Sequence, residues 1–292
     1  MPDAGSLVLV ATPIGNLGDL PPRAIEVLGA VELVCCEDTR RTGRLLQHAG
    51  VHARRLAVAN EHTETARLAE VIDVLAAGGD VALVTDAGTP GISDPGERLV
   101  HGVIDAGFAV SAVPGPAAFV TALVISGLPT SRFVMEGFLP RSGSARRERL
   151  AEVAAEQRTV VLYEAPHRIE RTIADLAAVC GDDRPVAVAR ELTKLYETVV
   201  RGTLGSITLG EPRGEYVVVL GGAPAAAAAS PTDVAAAVDR ALDRGLSTKE
   251  AATDVSAALG VGRREAYDIA VARRRSRRSA GISTPAAGKN GA

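Results

Sequence analysis

The chain has 292 residues, 47% of them hydrophobic, and a formal net charge of −3, which together indicate a packed globular protein rather than a globally basic nucleic-acid binder. No apolar run reaches the ~20 residues of a membrane-spanning helix, and the first residues lack a signal-peptide pattern. The three cysteines, Cys35, Cys36 and Cys180, fit neither a disulfide framework nor a metal-binding spacing. We therefore expect a cytoplasmic protein with no metal and no membrane association.

The first part of the chain alternates short apolar runs with amphipathic segments. The pattern predicts strands at residues 7–11, 33–36, 55–58, 81–85 and 110–113, and helices at residues 22–28, 42–49, 64–77 and 95–106. Alternating strands and helices are typical of a mainly parallel sheet with helices on both faces. Residues 1–114 are thus predicted to form an N-terminal α/β domain.

A second set of elements follows, with strands near residues 133–136, 160–163, 186–189 and 216–220, and helices near residues 145–156 and 168–179. These predict a second α/β domain over residues 115–222. The low-complexity stretch GGAPAAAAAS indicates a linker at residues 223–231. Capping residues and a short glycine turn predict a helix-turn-helix-like extension at residues 232–278, in which Ser247 and Glu250 form a capping box. Residues 279–292 are predicted to be a disordered tail.

Three predicted strands end in loops with unusual backbone chemistry. They are residues 7–20 (LVLVATPIGNLGDL), residues 82–96 (ALVTDAGTPGISDPG) and residues 110–118 (VSAVPGPAA). Glycine lets the backbone approach a ligand closely, and the carboxyl ends of parallel strands meet at one edge of a sheet. The three loops therefore predict a single small-molecule site. The first loop lacks the G-x-G-x-x-G pattern, which argues against a plain dinucleotide site.

These loops resemble those of the tetrapyrrole methylase superfamily, and in particular its branch that methylates ribosomal RNA. The matching segments include TPIGNLGD from Thr12, CEDTRRTGRLL from Cys36, TDAGTPGISDPG from Thr85, PGPAA from Pro114, GLPTSRFVMEGFLPR from Gly127, LYEAPHR from Leu162 and ARELTKLYE from Ala189. The resemblance implies two α/β domains with S-adenosylmethionine in the cleft between them, and a homodimer. It also implies 2′-O-methylation of a cytidine ribose in the decoding region of 16S rRNA within the small ribosomal subunit.

The resemblance and the loop chemistry together give a set of candidate donor-binding residues. They are Pro13, Asp86, Gly88, Thr89, Ile92, Pro114, Ala117, Ala118 and Tyr163. Asp86 ends a buried strand, where its carboxylate suits a sulfonium or ammonium group, although capping of the local turn is a competing role. Ala117 and Ala118 precede a predicted helix, whose free N–H groups suit a carboxylate or an adenine acceptor. Tight helix–sheet packing explains their small side chains equally well.

Methyl transfer to a ribose hydroxyl benefits from a general base or from a cation that stabilises the developing oxyanion. The sequence offers Glu37, Asp38, Glu191 and Lys194, all of them at the ends of predicted strands. Asp38 is equally suited to cap the following helix, and Glu191 and Lys194 equally suited to a surface ion pair. Lys194 would act as a base only with a lowered pKa. The four therefore stay open as alternatives.

Local clusters of arginine indicate RNA contacts on a protein that is acidic overall. The candidates are Arg40, Arg41, Arg141, Arg146, Arg147, Arg190, Arg273 and Arg274. Arginine clusters bind phosphates, although most charge runs simply face solvent. With only four Phe, four Tyr and no Trp, base stacking along a free single strand is poorly supported. Folded RNA in a ribosomal particle suits the chain better.

Two other functions remain open at this point. One is a C-methyltransferase that acts on a tetrapyrrole or precorrin, which would need a deep pocket for a large ring. The other is an RNA-binding ribosome-assembly factor that has lost catalysis, and a measurement of donor binding would separate it from the enzymes.

Overall fold

The structure is a computed structural model and describes residues 4–60, 63–224 and 229–279. It divides the chain into two compact units, one running to Ala223 and one starting at Pro224. The predicted tail at 280–292 and part of the predicted linker, 225–228, lie outside the described residues. Among the described residues, no helix is long and apolar enough to cross a membrane.

The first half of the larger unit is a parallel sheet with helices on both faces, as predicted. Its strands are β1 (Ser6–Val10), β2 (Leu33–Cys36), β3 (Leu56–Val58), β4 (Val81–Val84) and β5 (Ala109–Val113), arranged in the order β3-β2-β4-β1-β5. All of its neighbouring strands run parallel. The helices are α1 (Pro22–Ala30), α2 (Thr39–His48), α3 (Glu64–Ala76) and α4 (Glu97–Asp105).

Alternate side chains of this sheet pack into two separate hydrophobic cores, one on each face. Leu7, Cys35 and Leu83 pack on one face, whereas Val34 and Ala82 pack on the other. This burial on both faces explains why the strands read as continuous apolar runs. Strands β1 and β4 lie side by side at the centre of the sheet. The connection after β1 leads to β2 on one side of this pair, whereas the connection after β4 leads to β5 on the other side. Such a reversal opens a crevice at the carboxyl ends of the strands.

The second half contains a mixed sheet of order β6-β7-β10-β8-β9. Its strands are β6 (Phe133–Phe138), β7 (Thr159–Glu164), β8 (Pro185–Arg190), β9 (Thr198–Thr203) and β10 (Tyr216–Leu220), and its helices are α5 (Ala118–Ile125), α6 (Gly143–Ala155) and α7 (Ile169–Cys180). Only β6 and β7 run parallel, and the other pairs are antiparallel. Strand β9 was not predicted, because the short sequence TVVRGT carries little hydrophobic periodicity.

The smaller unit is a bundle of three helices, α8 (Pro231–Asp243), α9 (Thr248–Leu259) and α10 (Arg263–Ser279). Ser247 and Glu250 form the predicted capping box of α9, and Ser230 forms a second one with Asp233 at α8. Helix α9 ends at Gly260 in the left-handed conformation, with φ +65°. Small side chains such as Ala251 and Ala266 fill the core and let the helices approach closely.

Candidate functional site

The three predicted loops meet at the carboxyl edge of the parallel sheet. Thr12 and Gly88 form a two-way backbone bridge, in which Thr12 N–H donates to the Gly88 carbonyl over 2.8 Å and Gly88 N–H donates to the Thr12 carbonyl over 3.1 Å. The hydroxyl of Thr89 donates to the Pro116 carbonyl over 3.1 Å. The first loop is thus tied to the second, and the second to the third, so the predicted convergence is confirmed.

A cavity of ≈ 410 Å³, here called the central cavity, lies between this edge and the second sheet. Its size falls in the range of pockets that hold small ligands. Its walls are formed by Ile14, Glu37, Arg41, Asp86, Ala87, Gly88, Thr89, Ile92, Ser93, Asp94, Ala117, Ala118, Phe119, Phe138, Tyr163, Glu164, Ala165, Pro166, Leu192, Glu215, Tyr216 and Val217. Both halves of the larger unit therefore contribute to one site.

The backbone around Gly88 allows a ligand to approach closely. Gly88 has φ +91°, and a Cβ added there would lie 3.4 Å from Cγ2 of Ile14. The hydrophobic side chain of Ile14 packs against the second sheet, with Val161 and Val217. Helix α5 starts at Ala118, and its N-cap residue Ala117 makes no side-chain hydrogen bond, so the first turn has N–H groups without partners inside the helix.

Asp86 carries an oxygen that is poised for a ligand. Its Oδ2 lies 3.2 Å from Nη1 of Arg41, whereas its buried Oδ1 has no hydrogen-bond partner among the described residues. Burial raises the pKa of Asp86 against the opposing effect of Arg41, and burial together with the charge of Asp86 raises the pKa of Glu37. A buried carboxylate oxygen without a partner is costly, so a donor or cation from a ligand would stabilise it.

Seven of the nine predicted donor-binding residues line the central cavity, namely Asp86, Gly88, Thr89, Ile92, Ala117, Ala118 and Tyr163. Pro13 does not, and lines a neighbouring cavity of ≈ 190 Å³ with Thr12 and Arg41. It is the next residue, Ile14, that reaches the central cavity. Pro114 is exposed and also lies outside the lining, because the third loop turns its backbone at Pro116 and its helix start towards the site.

Of the four candidate catalytic residues, only Glu37 lines the central cavity. Asp38 caps α2 by accepting a hydrogen bond from Arg40 N–H over 2.8 Å. Its carboxylate also pairs with the Arg40 guanidinium at 2.8 Å, and these hydrogen bonds hold the pKa of Asp38 well below its usual range. The capping role is therefore observed for Asp38.

Glu191 and Lys194 lie in the loop between β8 and β9, which touches the first loop. The ammonium of Lys194 lies 2.8 Å from Glu191 and 2.7 Å from Glu215. Burial alone would lower the pKa of Lys194, but these two hydrogen bonds raise it above its ordinary value. These ion pairs favour the charged form of Lys194, whereas a role as base needs a lowered pKa. Burial by itself would raise the pKa of Glu191, but the hydrogen bond from Lys194 lowers that pKa below its ordinary value.

Arg146, predicted to bind RNA, is instead a buried structural residue, only 3% exposed. Its guanidinium donates to Asp175 over 2.8 Å, to the Pro140 carbonyl over 3.0 Å and to the hydroxyl of Thr172 over 2.9 Å. Thr172 in turn donates to Glu164 over 2.6 Å. The prediction was wrong because these bonds occupy the side chain in the interior, where no phosphate reaches it.

The other predicted RNA-binding arginines occupy different surroundings. Arg141 and Arg147 are exposed, and Arg40 is exposed although it pairs with Asp38. Arg41 lines the central cavity, and Arg190 is half-buried with Nη1 3.3 Å from the Glu211 carbonyl. In the smaller unit, Arg273 lies 3.5 Å from Asp239 and Arg274 is half-buried.

Several cavity residues were not predicted from the sequence, above all Ile14, Asp94 and Phe138. Phe138 is 54% exposed and packs on Tyr163 with ring centroids 5.6 Å apart. An aromatic residue at the carboxyl end of a strand, before a Pro-Arg loop, is the signal that marks it. Glu164 ends β7 as a fully buried carboxylate, 3.1 Å from Arg168, and the charged LYEAPHR segment after an apolar strand indicated such a group.

Comparison with known proteins agrees with this geometry. The family model for Tetrapyrrole (Corrin/Porphyrin) Methylases matches residues 6–208. The protein "Ribosomal RNA small subunit methyltransferase I" of Mycobacterium tuberculosis CDC 1551 is 42% identical, with 93% of this chain and 96% of the relative covered. The protein of the same name in Escherichia coli O157:H7 is 41% identical, with 91% and 95% covered.

Solved structures share the fold at low identity. The methyltransferase CobJ gives a TM-score of 0.57 at 19% identity, with 75% of this chain and 95% of that chain covered. Uroporphyrin-III-C-methyltransferase of Thermus thermophilus gives 0.51 at 22% identity, with 74% and 94% covered. The three loops converge on a cavity between the two sheets, and the relatives match most of the chain. The chain therefore belongs to the tetrapyrrole methylase family, and within it to the ribosomal RNA small subunit methyltransferase I group.

Proposed function

We propose that this protein transfers a methyl group from S-adenosylmethionine to the ribose 2′-oxygen of a decoding-region cytidine in 16S rRNA. The observation that carries the proposal is the convergence of three loops of the parallel sheet on a cavity that the second sheet completes. The relatives named ribosomal RNA small subunit methyltransferase I supply the class of substrate.

S-adenosylmethionine is the methyl donor of this family, and the residues present fit it. The partnerless Oδ1 of Asp86 suits the ammonium or sulfonium of the donor. Gly88 lines the central cavity without a side chain, and the N–H groups at the start of α5, which has no side-chain cap, suit the donor carboxylate or an adenine acceptor. Because these residues hold the donor in place, they also align its methyl carbon with the attacking oxygen, which lowers the barrier to transfer.

The surroundings of the central cavity support a folded RNA substrate. Exposed Arg141 and Arg147 follow β6, the strand whose last residue, Phe138, lines the cavity. Phosphate contacts from such arginines position an RNA without reading its sequence. One exposed aromatic ring beside a cavity is enough for a single nucleoside, whereas stacking along a free strand needs a series of rings.

A homodimer is part of this proposal. Helix α5 carries no charged residue, yet Val120 is 44% exposed and Val124 is 63% exposed. Strand β5 lies at the edge of the parallel sheet, where unpaired backbone groups favour association. Sedimentation analysis should show a dimer, and Val124→Glu should shift it towards monomer. A monomeric wild-type protein at micromolar concentration would remove this part of the proposal.

The test is methyl transfer from S-adenosylmethionine labelled in its methyl group. Substrates are 30S particles and naked 16S rRNA from a strain in which this gene is disrupted, a decoding-region oligonucleotide and a tetrapyrrole precursor. We expect a labelled 2′-O-methylcytidine, formed faster on the particle than on either RNA. Labelling of the tetrapyrrole would support the C-methyltransferase alternative. RNA binding with neither donor binding nor transfer would support the assembly-factor alternative, and equal rates on the oligonucleotide would contradict the folded substrate.

A further inference from the structure

Asp94 lies on the wall between two cavities. It lines the central cavity and also a neighbouring cavity of ≈ 700 Å³, which shares Glu37, Asp86 and Ser93 with it. The segment that carries Asp94 is held in a fixed path, since Ser93 has φ +59° and Gly96 has φ +137°. A Cβ on Gly96 would lie only 2.9 Å from Leu83 Cδ2. The carboxyl of Asp94 is therefore placed at the site by a constrained backbone.

The charges that shift the pKa of Asp94 belong to carboxylates. Burial, followed by the charges of Glu37, Asp86 and Glu215, raises the pKa of Asp94 to about 7. These three carboxylates come from different elements, after β2, after β4 and before β10. The charge of Asp94 also contributes to the raised pKa of Tyr163 on β7, which is due first to burial.

Two cations near the central cavity pair with other carboxylates, whereas the exposed Arg98 lines the neighbouring cavity together with Asp94. Arg41 pairs with Asp86 at 3.2 Å, and Lys194 pairs with Glu191 and Glu215. Within the described residues, the Asp94 carboxyl takes part in no side-chain hydrogen bond or ion pair. A carboxyl with this pKa and no partner is suited to exchange a proton with a ligand, because a general base works best when its pKa lies near the working pH.

We propose that Asp94 accepts the proton of the ribose 2′-hydroxyl as the methyl group is transferred, an inference that rests on the proposed function. The 2′-oxygen forms its bond to the methyl carbon while the sulfur–methyl bond breaks, and that electron pair stays on sulfur. The positive charge of the sulfonium is thereby lost, and the hydroxyl proton passes to a carboxylate oxygen of Asp94. The step is balanced without any further reactant.

Asp94 suits this role better than the other carboxylates of the cavity. Asp86 has one oxygen at Arg41, an arrangement that favours its ionised form and a role in binding the donor. Glu37 is the remaining competitor, because burial and the charge of Asp86 raise its pKa as well. Glu164 is paired with Arg168 and Glu215 with Lys194. The comparison of Asp94 with Glu37 therefore decides the assignment.

The experiment measures kcat on 30S particles between about pH 5.5 and pH 9, and donor affinity by calorimetry, for the wild type and four variants, one of them Glu37→Gln. A base is active when ionised, so wild-type kcat should rise as the pH passes through the pKa of Asp94 and then level off. Asp94→Asn should lower kcat at least ~100-fold, remove that rise, and keep donor affinity within about 2-fold. Asp94→Glu should recover part of kcat and regain the rise. Glu97→Gln, an exposed carboxylate nearby, should match the wild type.

Three results would overturn the assignment. If the Asp94→Asn variant keeps the wild-type kcat, or if its kcat still rises with pH, Asp94 is not the proton acceptor. Loss of donor affinity in that variant would make Asp94 a donor-binding residue. Loss of the pH-dependent rise in Glu37→Gln, with the rise retained in Asp94→Asn, would transfer the role to Glu37. Inactivity of the wild type on every RNA would instead refute the proposed function, so the two failures are distinguishable.

Discussion

Nη1 of Arg41 lies 3.2 Å from Oδ2 of Asp86. This ion pair joins the start of α2 to the end of β4 at the central cavity. The sequence had assigned Arg41 to RNA and Asp86 to the methyl donor, and the structure brings both to one site. The pair leaves Oδ1 of Asp86 buried and without a partner among the described residues. Arg41 thus occupies one oxygen of Asp86 and favours the ionised carboxylate, and the other oxygen is available to a ligand.

Arg41→Ala should weaken donor binding more at low pH than at high pH. Burial already raises the pKa of Asp86, and Arg41 opposes that effect. Without Arg41 the carboxyl takes up a proton at a higher pH and then no longer attracts a cationic donor. Calorimetry between about pH 6 and pH 8 should show a steeper loss of affinity than in the wild type. Arg54→Ala, which removes an exposed pair with Glu32, should behave like the wild type, and identical pH profiles in all three proteins would contradict the prediction.

Gly88→Val should weaken donor binding at least ~10-fold, which corresponds to about 1.4 kcal/mol. Its φ of +91° is a conformation that L side chains rarely adopt, and the branched valine side chain would extend beyond a Cβ that already contacts Ile14 at 3.4 Å. Gly107→Ala is the matched control, because it has a similar φ of +85° and no atom within 4 Å of an added Cβ. Gly107→Ala should lose about 1 kcal/mol of stability and keep its donor affinity. Unchanged affinity in a folded Gly88→Val protein would count heavily against the site.

Substitutions of two neighbouring arginines on α6 should have different effects, one on the stability of the fold and the other on RNA binding. Arg146→Ala should lower the free energy of unfolding by about 2–4 kcal/mol, because it leaves Asp175 and Thr172 without their buried partner. Arg147→Ala, at an exposed position, should change stability by less than about 0.5 kcal/mol and weaken RNA binding with a smaller salt dependence. Thermal denaturation and filter binding measure the two effects. A stable Arg146→Ala protein with reduced RNA affinity would reverse this interpretation.

A protein that ends at Pro224 should keep donor affinity near that of the wild type. The residues of the central cavity all precede Pro224, and the chain up to Ala223 forms its own compact unit. The truncated protein should bind RNA more weakly and with less salt dependence, because it lacks the arginines of α10. Calorimetry and salt titrations measure the two quantities. If a folded truncation fails to bind the donor, the extension belongs to the active site.

The parallel sheet and the meeting of its three loops were predictable, because continuous apolar strands alternating with amphipathic helices allow few arrangements. The antiparallel pairing of β8, β9 and β10 was not, since strand direction depends on connections that carry no hydrophobic pattern. Asp94 was missed because it comes ten residues after β4 ends at Val84, along a loop whose path the sequence does not reveal.

Arg146 shows a signal that was present but overlooked. It lies four and seven residues before Leu150 and Val153, which are both buried on α6. This i, i+4, i+7 spacing places the arginine on the apolar face of the helix, whereas Arg147 falls on the exposed face. Helical periodicity therefore separates a structural arginine from a surface arginine within the same charge run.

The most direct test of the central claim is mass-spectrometric mapping of 16S rRNA from cells with and without this gene. Disruption should remove one 2′-O-methyl group from a cytidine of the decoding region. The wild-type gene should restore it, whereas Gly88→Val, expressed at the same level, should restore it weakly or not at all. An unchanged set of 16S modifications after disruption would contradict the account.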